Sequence, residues 1–342
     1  MFDHLIGNEA VKFYIGKLFE NGRFPNSAIF AGPDGIGKKA FAIEAARAFV
    51  CTETHTACGK CGSCVRVGKF NIPKAEKKDQ FKELFFSDHP DVGMVVPFNR
   101  TVLVDAIRRL EAEAYFRPYE ARARVFIIDD ADKMNEAASN ALLKTLEEPA
   151  TTSYIILVTS RPDSLLQTIR SRSQILRFTT ISETKIAAHL GATGSWSMED
   201  AALAARICGG SMARALAMDI EKFRASRSAM LGILESLSER RLGRLLQSSE
   251  RLNDARNKDD FEANLSILES LIRDAWLLKL GREESSLANC DIAAQLAPLA
   301  ANFNTSSLAA WLTEIETMRG NFVVNINRKI ASDALFLGMA TA

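Results

Sequence analysis

The stretch AGPDGIGKKAFA, Ala31–Ala42, almost spells a phosphate-binding loop. Gly32, Gly37 and Lys38 stand at the spacing G-x-x-x-x-G-K-[ST], with Gly35 between them. An apolar run, SAIFAG (27–32), leads into the loop, and a helical pattern, KKAFAIEAARAFV (38–50), leads out of it. Glycines let backbone N–H groups converge on a phosphate. The helix N-terminus adds partial positive charge, and Lys38 would reach the β- and γ-phosphates. The last position departs from the pattern. A hydroxyl there would ligate Mg2+, but the residue is Lys39, whose charge would repel the ion.

Two further apolar runs, VFIID (125–129) and YIILVTS (154–160), alternate with helical patterns such as NEAASNALLKTLEE. Strands alternating with amphipathic helices predict a parallel α/β sheet over roughly the first 180 residues. The run RVFIIDDADKM ends in Asp129, Asp130 and Asp132, the pattern of a Walker B strand. Asp129 would sit near a metal. Asp130 stands where such ATPases usually carry Glu as the base, and it is one methylene shorter. A shift of about 1 Å at a catalytic position can cost roughly 10²-fold in rate. Two weakened positions argue against efficient hydrolysis.

The 342 residues suit two or three domains, with 47% hydrophobic and 25% charged residues. Net charge is +1, from 43 basic and 42 acidic side chains, so nucleic-acid contact would need a local patch. Arg100, Lys133 and Arg161 are expected near loop ends. No apolar run of about 18 residues and no signal-peptide pattern appears, so the expected compartment is the cytoplasm, with no membrane contact. Disulfides are disfavoured there.

That bears on CTETHTACGKCGSC, where Cys51, Cys58, Cys61 and Cys64 form C-x6-C-x2-C-x2-C. Four thiolates so close can enclose a tetrahedral Zn2+, leaving no open position, so the ion would be structural. His55 is an alternative ligand; a redox pair and an Fe–S cluster are competing uses. Cys208 and Cys290 are isolated. The Lys-rich segment KFNIPKAEKKDQFKELFFSD (69–88) reads as an exposed, solvated insertion. From about residue 181 short helical patterns with Ser/Thr caps take over, and from about 223 long runs at three- and four-residue spacing predict an all-helical C-terminal domain.

GPDGIGKKA, the four-cysteine cluster, HPDV (89–92), IIDDADKM, NALLKTLEEP (140–149) and IRSRSQ together resemble bacterial clamp-loader subunits of the AAA+ class, components of the DNA polymerase III holoenzyme. The motifs cover about residues 1–220; the remainder fits by helical character and length. The resemblance implies a RecA-like AAA+ domain (1–180) with the zinc module (51–64), a small helical lid (181–222) and a helical collar (223–342). It implies a hetero-pentamer with a delta subunit and three gamma/tau-type ATPase subunits, which opens a sliding clamp and places it on primer–template DNA. The family's Ser-Arg-Cys motif gives an arginine finger to the neighbour's ATP site. Here it reads Ser171-Arg172-Ser173, so the finger carries over to Arg172 and its Ser171. Sensor 1 would be Thr159 or Ser160, without the usual Asn, and sensor 2 would be Arg214 on a helix begun by Ser211. ATP or ADP would bind weakly or without hydrolysis. An active gamma/tau-type ATPase is the nearest alternative reading, and a stand-alone P-loop enzyme a more distant one.

Overall fold

The computed structural model describes residues 2–54, 56–253, 260–321 and 327–341. The chain divides into two units, Met1–Thr193 with Cys208–Leu216, and Gly194–Ile207 with Ala217–Ala342.

The first unit runs α1 (Glu9–Glu20), β1 (Ser27–Ala31), α2 (Lys38–Val50), α3 (Gly62–Val67), β2 (Phe85–Phe86), β3 (Val92–Val95), α4 (Val104–Ala114), β4 (Arg124–Ile128), α5 (Glu136–Glu147), β5 (Ser153–Thr159), α6 (Gln167–Ser171), β6 (Gln174–Arg177) and α7 (Glu183–Ala192). Next come α8 (Met198–Ile207), which counts with the second unit, and α9 (Met212–Leu216), which counts with the first. The strands form one sheet in the order β2-β3-β4-β5-β1-β6. Only β2, at the edge, is antiparallel to its neighbour.

Side chains of a strand point alternately to opposite faces, and a parallel sheet covered on both sides is apolar throughout. β1, β4 and β5 follow this rule. Phe30, Val125, Ile127, Ile156 and Val158 join Ile15 of α1 and Phe41 of α2 in one core. Ile29, Phe126, Ile128, Ile155 and Leu157 join Leu110 of α4, Leu142 of α5 and Ile169 of α6 in the other.

Segment 69–88 corrects the expectation of a solvated insertion. Its lysines are exposed, but Phe81 and Leu84 are buried, and Phe70, Ile72 and Phe85 pack against the first core. Phe85 and Phe86 pair with Met94 and Gly93 to give the sheet its edge strand. The aromatic residues, not the lysines, determine where this segment lies.

The HPDV stretch is a structural joint. Asp91 is fully buried and accepts the backbone N–H groups of Tyr119, Glu120 and Ala121 at 2.7, 3.0 and 2.9 Å. The buried guanidinium of Arg124 lies 3.7 Å from the same carboxylate and 2.9 Å from Glu113. The loop before β4 is thereby tied to the residue that leads into β3.

The second unit holds α10 (Ile220–Ser238), α11 (Leu242–Leu252), α12 (Phe261–Lys279), α13 (Ala293–Asn302), α14 (Thr305–Asn321) and α15 (Arg328–Thr341). Ile233, Leu268, Ile272, Leu296, Ile315 and Phe336 anchor its core at helical spacing. Arg227, buried on α10, is held by both carboxylate oxygens of Asp291 at 2.8 and 2.5 Å. No described helix is long and apolar enough to cross a membrane.

Asp91→Ala leaves three N–H groups without an acceptor and a buried guanidinium without one of its counter-charges, a loss expected to cost about 3 kcal/mol or more. Chemical denaturation should show this as a lower midpoint for the first unit, with faster hydrogen exchange in β4. A loss under about 1 kcal/mol would remove Asp91 from this structural role.

Candidate functional site

The phosphate-loop residues lie between the end of β1 and the start of α2. Gly35 and Gly37 have φ of +74° and +95°, a region that side chains resist. At Gly35 a Cβ would also collide with the Ser211 hydroxyl. The loop is tied down on two sides: Gly32 N–H donates to Thr159 O at 3.2 Å, and Ala213 N–H donates to Gly35 O at 2.9 Å. Through Ala213, α9 sits against the loop; Ser211 Oγ accepts the N–H of Arg214, whose side chain is exposed.

Lys38 is buried, its ammonium donating to Gly32 O at 2.6 Å and Pro33 O at 2.5 Å. Burial lowers its pKa below the ordinary lysine value, partly offset by Asp34, Asp130, Asp132 and Asp129. Lys39 turns to β4 instead and forms an ion pair with Asp129 at 2.9 Å. Asp130 has φ +47° and pairs with Lys133 at 2.7 Å. Both of these carboxylates, expected from the sequence to form a Walker B end, are thus matched by lysines of the same chain.

Asp132 is nearly buried and accepts the Thr159 hydroxyl at 2.9 Å and Arg161 Nε and Nη2 at 3.1 and 3.0 Å. Burial raises its pKa, but these donors outweigh burial and hold it below the usual carboxylate value. Ser160 contributes its backbone N–H, at 3.4 Å. At the sensor-1 end of β5, Thr159 is therefore the residue whose side chain meets the acidic cluster.

Arg172 lies elsewhere. It follows α6 and precedes β6, and β6 runs parallel to β1 with Gln174 opposite Ala28. The loop leaves the C-terminal end of β1, whereas Arg172 stands at the N-terminal end. The four steps from Ser27 to Ala31 put about 13 Å of strand between those edges. The Arg172 side chain is 36% exposed and pairs with Glu147 Oε1 at 2.9 Å. Nη1 donates to Thr168 O at 3.2 Å, which Ser171 Oγ also reaches at 3.1 Å. A cavity of about 350 Å³ beside it is lined by Pro25, Asn26, Thr145, Leu146, Pro149 and Gln174. The Ser173 hydroxyl lies 2.6 Å from that of Ser27, fixing the turn to β1, a contact the motif alone does not reveal.

The four cysteines converge between α2 and α3. Their sulfurs all lie within 4.8 Å of one another, with Cys51–Cys61 at 4.0 Å and Cys58–Cys64 at 3.9 Å. Zn–S bonds of about 2.3 Å in a tetrahedron require sulfurs about 3.8 Å apart, so the donor set suits Zn2+. Gly59, at φ +71°, turns the chain so that the N–H groups of Lys60 and Cys61 face Cys58 Sγ. Cys64 N–H likewise faces Cys61 Sγ. Burial raises the Cys51 pKa, but Thr54 and nearby backbone N–H groups bring it down to about 6. Burial pushes the Cys64 thiol well above its ordinary value. Arg122 donates to the carbonyls of Ala48, Cys51 and Thr54, bracing the module. His55, the alternative ligand, lies outside the described residues.

A family model described as "DNA polymerase III, delta subunit" matches residues 7–182, just over half of the chain. Another, described as "DNA polymerase III, delta subunit, C terminal", matches residues 224–338. The chain belongs to the DNA polymerase III delta-subunit family. It is a clamp-loader AAA+ subunit of delta/delta-prime type. It is 27% identical to the DNA polymerase III subunit delta' of Escherichia coli over 93% of this chain and 90% of that protein. It is 34% identical over 174 residues to the subunit gamma/tau of Mycobacterium tuberculosis, and spans 27% of that relative's length. A gamma subunit-related protein of Thermotoga maritima has a solved structure 16% identical to this chain, with 96% of this chain and 98% of that one covered at a TM-score of 0.40.

For this delta-type subunit, replacing Cys58 and Cys61 by Ser should remove about one metal ion per chain and lower the melting temperature. Metal analysis of protein purified without chelator checks the first effect and calorimetry the second. Because binding displaces thiol protons, apparent metal affinity should fall with acidity, more steeply below about pH 6, where the Cys51 thiolate of the metal-free protein is protonated.

Proposed function

We propose that this chain is a delta-prime-type subunit that lends Arg172 to the ATP site of a neighbouring subunit and cleaves no ATP itself. The observation that carries the reading is the position of Arg172: exposed, at the strand end opposite its own phosphate loop, beside an open cavity. A guanidinium there cannot serve the loop of its own chain. Inserted beside a neighbour's γ-phosphate, its planar fork stabilises developing charge, an effect worth as much as about 10³–10⁵ in rate in other systems. The paired Asp129 and Asp130 support the second half of the reading, since neither carboxylate is free to hold a metal or orient water. Likeness to the E. coli delta' protein along nearly its whole length favours delta-prime within the family.

In this role the chain joins a delta subunit and gamma/tau-type ATPase subunits in a hetero-pentamer, in the cytoplasm. Through that assembly it acts on a sliding clamp and primer–template DNA. Residues 1–180 form the AAA+ domain, 181–222 the lid and 223–342 the collar that holds the subunits together. Cys51, Cys58, Cys61 and Cys64 hold a structural Zn2+. The loop Gly32–Lys38 keeps the shape to bind ATP or ADP, with Arg214 on the lid side.

The gamma/tau-type reading draws on the 34% identity to the mycobacterial protein. Lys39, and the Thr159–Ser160 strand end in place of Asn, weigh against it.

Arg172→Ala should leave the subunit folded and able to assemble, while the ATP site it serves slows by about 10³ or more. Arg172→Lys should recover little of that loss, because an ammonium lacks the bidentate fork. Steady-state ATPase of the reconstituted loader measures both; unchanged turnover in Arg172→Ala would refute the finger. Magnesium-dependent turnover by the isolated chain would favour the gamma/tau-type reading instead.

A further inference from the structure

The AAA+ fold implies Mg2+ beside the phosphates, held by a loop hydroxyl and a Walker B aspartate. The residues present do not fit that ion. The hydroxyl position is Lys39, and its ammonium lies 2.9 Å from Asp129, the carboxylate that would have faced the metal. Asp130 is matched by Lys133 at 2.7 Å, and Asp132 by Arg161 at 3.0 Å. A Mg2+ ion here would meet the Lys39 ammonium, and the three carboxylates after β4 are each already paired with a basic side chain.

The same pairs remove the reason an ion is needed. In a metal-using site the strand-end carboxylates repel the polyphosphate until a divalent cation neutralises both. Here Lys39, Lys133 and Arg161 of the same chain neutralise the carboxylates. Lys39 stays 43% exposed rather than buried, its ammonium directed to Asp129. Lys38 lies next to it, and the left-handed Gly35 and Gly37 lead into a 13-residue helix whose N-terminus faces the loop.

We propose that the phosphate loop takes a nucleoside di- or triphosphate without a divalent cation, the Lys39 ammonium standing in the cation's place. Binding is then indifferent to Mg2+, and the bound nucleotide is a fixed structural ligand that holds the loop against α9 through Gly35 and Ala213. This rests on reading the loop as a nucleotide site. It does not depend on Arg172, so the two readings fail separately.

The test is fluorescence titration of the purified full chain with a methylanthraniloyl derivative of ADP, in excess EDTA and in excess MgCl2. The expected result is saturable binding whose dissociation constants in the two buffers agree within about threefold. Greater tightening by Mg2+ overturns the proposal, and so does an absence of saturable binding in EDTA. Lys39→Ser exposes Asp129 and restores the hydroxyl. It should weaken EDTA binding by about tenfold or more and regain affinity with Mg2+; unchanged EDTA binding in this variant also overturns the idea. Lys39→Arg, which keeps the charge, should bind in EDTA like the parent chain, and loss of binding there counts against a purely electrostatic stand-in. Circular dichroism and metal content of each variant confirm that the fold is retained.

Discussion

Parallel pairing of β1 between β5 and β6 is the constraint on which the rest of the first unit depends. In a parallel sheet every loop that follows a strand emerges at one edge and every loop that precedes a strand lies at the other. The phosphate loop after β1, the aspartates after β4 and the Thr159–Arg161 corner after β5 therefore meet at one edge. The turn carrying Arg172, before β6, has to lie at the opposite one. A single sheet thus provides two chemically unlike edges. An arrangement that could accept phosphate at one edge and offer a guanidinium at the other would suit head-to-tail neighbours in a ring.

At the phosphate edge one residue changes the electrostatics of the whole site. With a hydroxyl at position 39, Asp129 would remain unmatched and a metal ion would be needed to balance it. With Lys39 the balance is internal. Lys133 and Arg161 extend the pattern to Asp130 and Asp132, so each acidic side chain after β4 has a basic partner from this chain. The cysteine module shows the opposite case: its four sulfurs converge on one another, an arrangement able to hold a metal ion that would supply the positive charge.

Much of this could be read from the residues because the signals were local. The uninterrupted apolar runs around Phe30, Phe126 and Ile156 locate β1, β4 and β5 to within a residue, since strands buried on both faces tolerate no polar interruption. The cysteine spacing likewise specifies a turn, and the turn brings the sulfurs together. What escaped was long-range or masked by composition. Lys39 reads as a repelled or repelling charge; its partner is 90 positions away, and only the sheet order brings them together. Thr159, rather than Ser160, meets Asp132 because strand alternation at the end of β5 decides which hydroxyl turns inward. Ser173 looks like a simple loss of the family's cysteine, yet its hydroxyl ties the turn to Ser27. The lysines of 69–88 obscured Phe81 and Leu84, whose burial governs that segment.

The contact between Glu147 and Arg172 has a reciprocal consequence. A guanidinium that leaves a carboxylate for a phosphate exchanges one anion for another, so it never stands bare in a dehydrated crevice. Were Arg172 to leave it, the Glu147 carboxylate would be left as a fresh negative charge beside the place Arg172 vacates in the lining of the Pro25–Pro149 cavity, where a basic side chain arriving on another molecule would be drawn in. Docking and delivery would then form a two-way handshake, and a carboxamide in place of Glu147 would leave the arginine unguided and the visiting cation unmet.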